Sequence, residues 1–256
     1  MTALLAVACA GLGLVVGSFL NVVVHRVPRK ESVVRPRSRC PGCGTTVAAR
    51  DNVPVLSWLA LRGRCRACRQ PISARYPLVE LLTSAGFAAA AVRLGADPAL
   101  PAFLVFVAAL VAISAIDLEH FIVPNRVVYP ALFLSVPLLV VAAAAGGEWR
   151  SLRDAALGGL LAWATLLVIH LASPAGMGFG DVRLAGLIGV HLGWLSLGHV
   201  VVGLFLAFAT AAVTGIALIA TAVRTRKDTV PFGPFLALGA VVAFLAGGPV
   251  IAWYGV

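Results

Sequence analysis

Uncharged runs, and the charges that end them, dominate the pattern of this chain. A bilayer core about 30 Å thick takes roughly 20 helical residues to cross. Residues 1–24 carry no formal charge, and 77–96 are apolar apart from Glu80 and Arg93. Residues 98–116 give nineteen uncharged positions ending at Asp117, and 127–147 give twenty-one. Residues 155–180 are uncharged until Asp181, with a last third of Ser, Pro and Gly. Residues 184–223 make forty uncharged positions, too many for one span, so the Gly- and His-rich stretch 191–199 is expected to break them. Residues 229–256 close a count of eight spans. The expected fold is an all-α membrane protein, a polytopic bundle of about eight transmembrane helices.

Composition agrees. The 256 residues are 61% hydrophobic and 12% charged, against about 25% charged in soluble domains. That excludes an ordinary soluble globule and any disordered or fibrous chain. The net charge is +10. Basic excess can signal nucleic-acid binding, but here its placement reads as topology. Twelve of the twenty Lys and Arg lie between Arg26 and Arg75. With that segment in the cytoplasm and the spans alternating, seventeen basic residues fall inside and three (Arg93, Arg150, Arg153) outside. The asymmetry obeys the positive-inside rule and puts both termini outside. The expected surroundings are the lipid bilayer, with no nucleic-acid partner. The first span lacks a basic start and runs on to Val24, so it reads as a helix and not as a signal peptide. Cys9 within it reads as a lone buried thiol.

The other four cysteines form two CxxC pairs, Cys40-Pro-Gly-Cys43 and Cys65-Arg-Ala-Cys68, with twenty-one residues between them. Four thiolates at this spacing suit one tetrahedral Zn²⁺ in a small zinc-ribbon-like loop. Disulfides or redox thiols are the other reading, and a cytoplasmic setting disfavours structural disulfides. A metal with four protein ligands has no open position, so its expected role is structural. By chemistry the chain divides into a first helix (1–24), a cytoplasmic zinc-binding loop (25–76) and a membrane core of about seven helices (77–256).

Acids inside membrane spans are costly and mark function. Asp117 ends the third span, and Asp181 starts the sixth within Gly176-Met-Gly178-Phe-Gly180-Asp181. Alternation puts both at cytoplasmic helix ends, where they can face one another. Two carboxyls at hydrogen-bonding distance share a proton, can hold a water, activate it toward a peptide carbonyl and protonate the leaving amine. The glycines before Asp181 are expected to allow close approach and positive φ. Either acid alone also reads as a helix-end residue, and Asp181 as a simple cap.

These motifs resemble those of the prepilin peptidases, or type IV leader peptidases, membrane aspartic proteases of the GxGD class. The likeness runs nearly end to end. It covers the opening Gly17-Ser-Phe-Leu-Asn-Val-Val-Val-His-Arg-Val-Pro28, Asn52-Val-Pro-Val-Leu-Ser-Trp58 and both CxxC pairs. It continues through Ile72–Thr83, Asp117 with Ile122-Val-Pro124-Asn125, the GxGD segment and Val230-Pro-Phe-Gly-Pro-Phe235. The resemblance implies an endopeptidase of a prokaryotic inner membrane. Such enzymes remove the basic leader from type IV prepilin and pseudopilin precursors after a glycine, at the cytoplasmic face. Asp117 and Asp181 would be the catalytic pair, with Gly178, Gly180, Glu80 and Pro124 supporting the site. Four cysteines match the long form, which also N-methylates the new terminus with S-adenosylmethionine. No dinucleotide-type fingerprint locates that donor. Two positions depart from the family pattern: Phe179 stands where Gly is common, and Arg183 where Lys is.

Other residues read more plainly. Arg183 is expected to mark the membrane boundary, Glu119 to be solvated and His170 to pack. Asn21 and His25 are expected to bind loop backbone, and Gly158, Gly159 and Gly186 to allow close helix packing. The alternative function is a polytopic transporter or proton-coupled membrane protein, since interrupted helices and intramembrane acids occur there too. No half-to-half repeat supports it, and a zinc loop is foreign to it. A zinc adaptor without catalysis leaves the two acids without purpose.

Overall fold

In a computed structural model the chain is described over residues 2–174, 176–223, 225 and 228–253. Arg224, Arg226 and Lys227, counted above in the charge asymmetry, lie outside the described residues, as do residues 1 and 254–256 of the outermost spans. Among the described residues all regular structure is helical: α1 (Thr2–Arg26), α2 (Leu56–Ala60), α3 (Arg75–Leu94), α4 (Leu100–His120), α5 (Asn125–Gly146), α6 (Trp149–Ala172), α7 (Phe179–Leu195), α8 (Leu197–Ala220) and α9 (Gly233–Trp253). Every helix except the short α2 falls on an expected span. Six of them (α1, α3, α4, α5, α6 and α8) are long and apolar enough to cross a bilayer. At 17 residues α7 is shorter, and α9 is apolar over Gly233–Pro249.

The break expected within 191–199 is one residue wide. Helix α7 stops at Leu195 and α8 begins at Leu197, with the Ser196 hydroxyl accepting the His199 N–H. Of the two histidines there, His199 belongs to the junction, its ring Nδ1 2.7 Å from Ser196 Oγ, and His191 packs. His191 is fully buried, stacked 4.2 Å from the Phe106 ring, with Nδ1 bonded to the Leu187 carbonyl at 2.9 Å.

Two compact units divide the chain, 1–96 and 97–256. In the first, α1 and α3 run antiparallel in close contact. A Cβ on Gly13 would lie 2.7 Å from Ser84 Cα, and one on Gly17 2.6 Å from Glu80 Cα. Polar side chains join the same seam. Ser84 donates to the Ala10 carbonyl at 2.9 Å, and Asn21 to the Tyr76 carbonyl at 3.1 Å, a helix partner on α3 where loop backbone was expected. Lipid offers no hydrophobic gain for pairing two apolar helices, so glycine contact and interhelical hydrogen bonds supply the attraction. Cys9 is buried, as expected of a membrane thiol.

The second unit repeats this device. Helices α6 and α7 meet where a Cβ on Gly189 would lie 2.2 Å from the Gly158 carbonyl oxygen, and one on Gly193 2.4 Å from the Asp154 carbonyl oxygen. Gly203 and Gly239 do the same for α8 and α9. Gly186 has only ordinary contact with Trp163. The core lies along α4 and α7, where Phe103, Ile113, Ile116, Leu184 and Leu187 are fully buried. The two helices that carry the membrane acids are thus enclosed by protein. Close approach at Gly189 has a direct test. Gly189→Val must part α6 from α7, and overpacking of this kind costs about 1–3 kcal/mol. We expect a lower Tm in detergent, while Gly215→Val, with open space around it, leaves the Tm unchanged.

Candidate active site and metal centre

Local backbone rules place Asp117. It lies in the last turn of α4, which Phe121 closes in the left-handed region (φ 55°), its N–H bonded to the Asp117 carbonyl at 2.9 Å. Pro124 holds the preceding residue extended and stands at the N-cap of α5, its carbonyl accepting the Val127 and Val128 N–H groups. Asp181 lies in the first turn of α7, behind an extended Gly178 at the N-cap whose carbonyl accepts the Asp181 N–H at 3.1 Å. A negative group there faces the positive end of the helix dipole.

The two carboxylates come together. Asp117 is 4% exposed and Asp181 8%. The charge of Asp117 acts on Asp181, although sixty-three residues separate them. Asp117 Oδ2 accepts the N–H of Gly233, the first residue of α9, at 2.8 Å. A Cβ on Gly233 would sit 2.8 Å from that same oxygen, so only glycine leaves the carboxylate where it is. Gly180 presses on the other motif: its Cβ would lie 2.8 Å from Val123 Cβ and 3.2 Å from the Val123 carbonyl oxygen. Gly178 is less constrained, with its Cβ position 3.4 Å from Asp181 Oδ2. Positive φ was the wrong expectation here. Gly178 has φ −69° and Gly180 lies within α7, and Gly180 is needed for space.

Contacts missed from the sequence surround the pair. Arg183 is more than a boundary marker. Its Nη1 donates to Asn125 Oδ1 at 2.5 Å, and its guanidinium lies 4.4 Å over the Phe179 ring. His170 packs on the other motif departure, 5.4 Å from the Phe179 ring centre, and its Nδ1 donates to the Met177 carbonyl at 2.8 Å. The Gly233 N–H had no sequence signal beyond the glycine itself, because a backbone donor leaves no side-chain pattern.

In the first unit the four cysteines form one cluster. Their sulfurs lie within 4.8 Å of one another, and Cys40 Sγ is 3.7 Å from Cys68 Sγ. Tetrahedral thiolates about 2.3 Å from zinc stand about 3.8 Å apart, so the set fits one zinc ion. All four are free thiols. The halves are built alike. Arg39 bridges Thr46 as Arg64 bridges Pro71, Cys40 N–H bonds the Thr45 carbonyl as Cys65 N–H bonds that of Gln70, and Gly44 and Arg69 share positive φ. Hydrogen bonds from the Thr45 hydroxyl and backbone lower the Cys43 thiol to about 6. The Cys68 and Ala67 backbones lower Cys65. The Gln70 backbone pulls Cys68 down too, but desolvation and the neighbouring sulfurs outweigh it and push that thiol up to about 11.

The Arg66 guanidinium grips both Asp51 oxygens between the two knuckles and holds that carboxyl below its usual range. Glu80 is the loop's anchor on α3. Its Oε2 accepts the Val55 N–H at 2.7 Å, and Val55 has a left-handed φ of 60°. The structure thus gives Glu80 partners in the loop and on α1, where Ser18 bonds it.

The chain is similar to known proteins over most of its length. Residues 12–94 match the bacterial peptidase A24 N-terminal domain, and residues 104–220 match the type IV leader peptidase family. A prepilin leader peptidase/N-methyltransferase of Aeromonas hydrophila is 36% identical over 94% of this chain and 90% of its own length. The protein of the same name from Burkholderia pseudomallei (strain 1026b) is 39% identical over 93% and 84%. That from Myxococcus xanthus (strain DK1622) is 44% identical over 73% of this chain and 56% of its own. No solved structure matches significantly.

The sulfur cluster makes a quantitative claim. We expect about one zinc per chain by metal analysis of the purified protein, and little zinc in Cys40→Ser/Cys65→Ser. A folded, zinc-free wild type would count against the site.

Proposed function

Because the chain belongs to the type IV leader peptidase family, we propose that it is a multi-pass membrane aspartic endopeptidase that removes the leader from type IV prepilins and pseudopilins. The observation that carries this reading is the meeting of two buried carboxylates from helices remote in sequence. Asp117 and Asp181 hold a water between them. One carboxylate takes a proton from that water as its oxygen attacks the peptide carbonyl. The other, protonated, donates to the carbonyl oxygen. Collapse of the tetrahedral intermediate breaks the C–N bond, and the leaving amine takes up a proton from the pair. Gly233 fixes Asp117 from the start of α9, and the Gly180–Val123 contact fixes the two acid-bearing segments against each other. Glu80 and Pro124 act on backbone, Glu80 by anchoring the cysteine loop and Pro124 by starting α5.

The names of the relatives extend the reading to N-methylation of the new terminus, with S-adenosylmethionine as methyl donor. No residue is assigned to bind it. Cys40, Cys43, Cys65 and Cys68 would hold the zinc, which supplies four thiolate bonds across the loop and no open position for chemistry. The charge asymmetry supports an inner-membrane location with the dyad at the cytoplasmic face and the termini outside. The transporter reading gains nothing from the family, and no observation favours it.

Two outcomes test the proposal. Incubated with a synthetic prepilin, the detergent-purified protein should release the leader with a bell-shaped pH dependence. Asp117→Ala and Asp181→Ala should each lose about 10²–10⁴ in rate, the usual worth of acid–base groups. Normal cleavage by either variant would remove the dyad. Gly233→Ala should lose roughly a hundredfold, since displacement of a catalytic group by about 1 Å costs that much. Leader release by Gly233→Ala at the wild-type rate would show that the α9 contact does not position Asp117.

A further inference from the structure

Asp117 and Asp181 come from segments remote in sequence, and a second negative charge beside the first is unfavourable. Their separation is set by how segment 117–125 meets segment 178–183. One contact between these segments is the Gly180–Val123 packing. Another is made of side chains. Arg183 stands two residues beyond Asp181, and its Nη1 bonds Asn125, the first residue of α5. The guanidinium is held from a second side, because its Cζ lies over the Phe179 ring, 4.4 Å from the centroid. That ring is in turn backed by His170, in the last turn of α6, which is fixed to the Met177 carbonyl. A row of side chains therefore runs from the end of α6, across the start of α7, to the start of α5.

We propose that Phe179, Arg183 and Asn125 form a brace that sets the spacing of Asp117 and Asp181, with Arg183 as a positioning residue for the reaction. The two departures from the family pattern, Phe179 and Arg183, touch each other and act together. A guanidinium donates at its edge and stacks on its face at once, and an ammonium cannot do both in this geometry. Phenylalanine within a glycine run removes backbone freedom next to Asp181. Phe179 is 39% exposed, so the brace lies at the rim of the unit and its loss leaves the core intact.

This inference rests on the dyad reading, and its test separates the two. Prepilin cleavage is measured on the full-length protein for Arg183→Lys, Phe179→Leu, Asn125→Ala, Asn125→Asp and the double variant Phe179→Leu/Arg183→Lys, with Asp181→Asn alongside. We expect Arg183→Lys, Phe179→Leu and Asn125→Ala each to lower kcat about ten- to a hundredfold, with KM within about twofold. The double variant should be no slower than the slower single, because one brace is lost only once. Asn125→Asp keeps an acceptor for Arg183 and should retain most of the kcat that Asn125→Ala loses. Wild-type kcat in Arg183→Lys and Asn125→Ala overturns the brace, as do multiplying losses in the double variant or a change confined to KM. An inactive Asp181→Asn beside normal brace variants sinks the brace alone. An active Asp181→Asn sinks the dyad beneath it.

Discussion

A carboxylate at the edge of an apolar bundle persists only where fixed dipoles replace the water it has lost. Two such groups side by side raise the demand, since each also repels the other. The second unit is arranged around this constraint. Asp117 receives the Gly233 N–H, and Asp181 sits where the first turn of α7 presents its positive end. The helices that carry them are the enclosed ones, so protein and not lipid surrounds the acids. Enclosure depends on glycine contacts such as Gly158 against Gly189, because only bare backbones approach closely enough to pack without a solvent-driven gain.

The first unit answers a different shortage. Between Arg26 and Arg75 few side chains are buried, Ser57 among them, and so short a segment cannot hold itself together by apolar burial. It relies on local devices. The two knuckles fold by their own backbone hydrogen bonds and bring four sulfurs within bonding reach of one ion. Glu80 ties the segment to α3 through the Val55 backbone N–H, beside the seam that Asn21 and the Tyr76 carbonyl make between α1 and α3. A metal here would join residues 40–43 to 65–68, replacing a missing core with four bonds.

Legibility in the sequence followed the range of the interaction. Spans were readable because a bilayer imposes one length on every crossing, and the helices appear where the uncharged runs lie. The cysteine cluster was readable because ligand spacing is local to each CxxC. Asp117 and Asp181 were readable because a charge that ends or opens an apolar run is conspicuous. Gly233, Arg183 and Val55 were not. The Gly233 contact spans 116 positions and uses a backbone N–H, Arg183 meets Asn125 across 58, and the left-handed Val55 breaks a steric rule that its side chain obeys elsewhere. The glycines before Asp181 were misread for a related reason. Sequence can state that a position lacks a Cβ, but only the neighbour, here Val123, decides whether freedom or space is the need.

These contacts share a further property. The start of α5 receives Arg183 through Asn125, the start of α7 carries Asp181, and the start of α9 donates to Asp117. Three helix N-termini therefore belong to one constellation with two acids. The N-termini that meet the acids, those of α7 and α9, each carry roughly half a positive charge, while α5 meets Arg183 and not a carboxylate. Arg183 is directed to a neutral partner, the Asn125 amide oxygen, and to the Phe179 ring. Its hydrogen bond therefore goes to the scaffold. That division leaves Asp117 Oδ2 to the Gly233 N–H, and on the proposed reading it leaves the pair free to act on water.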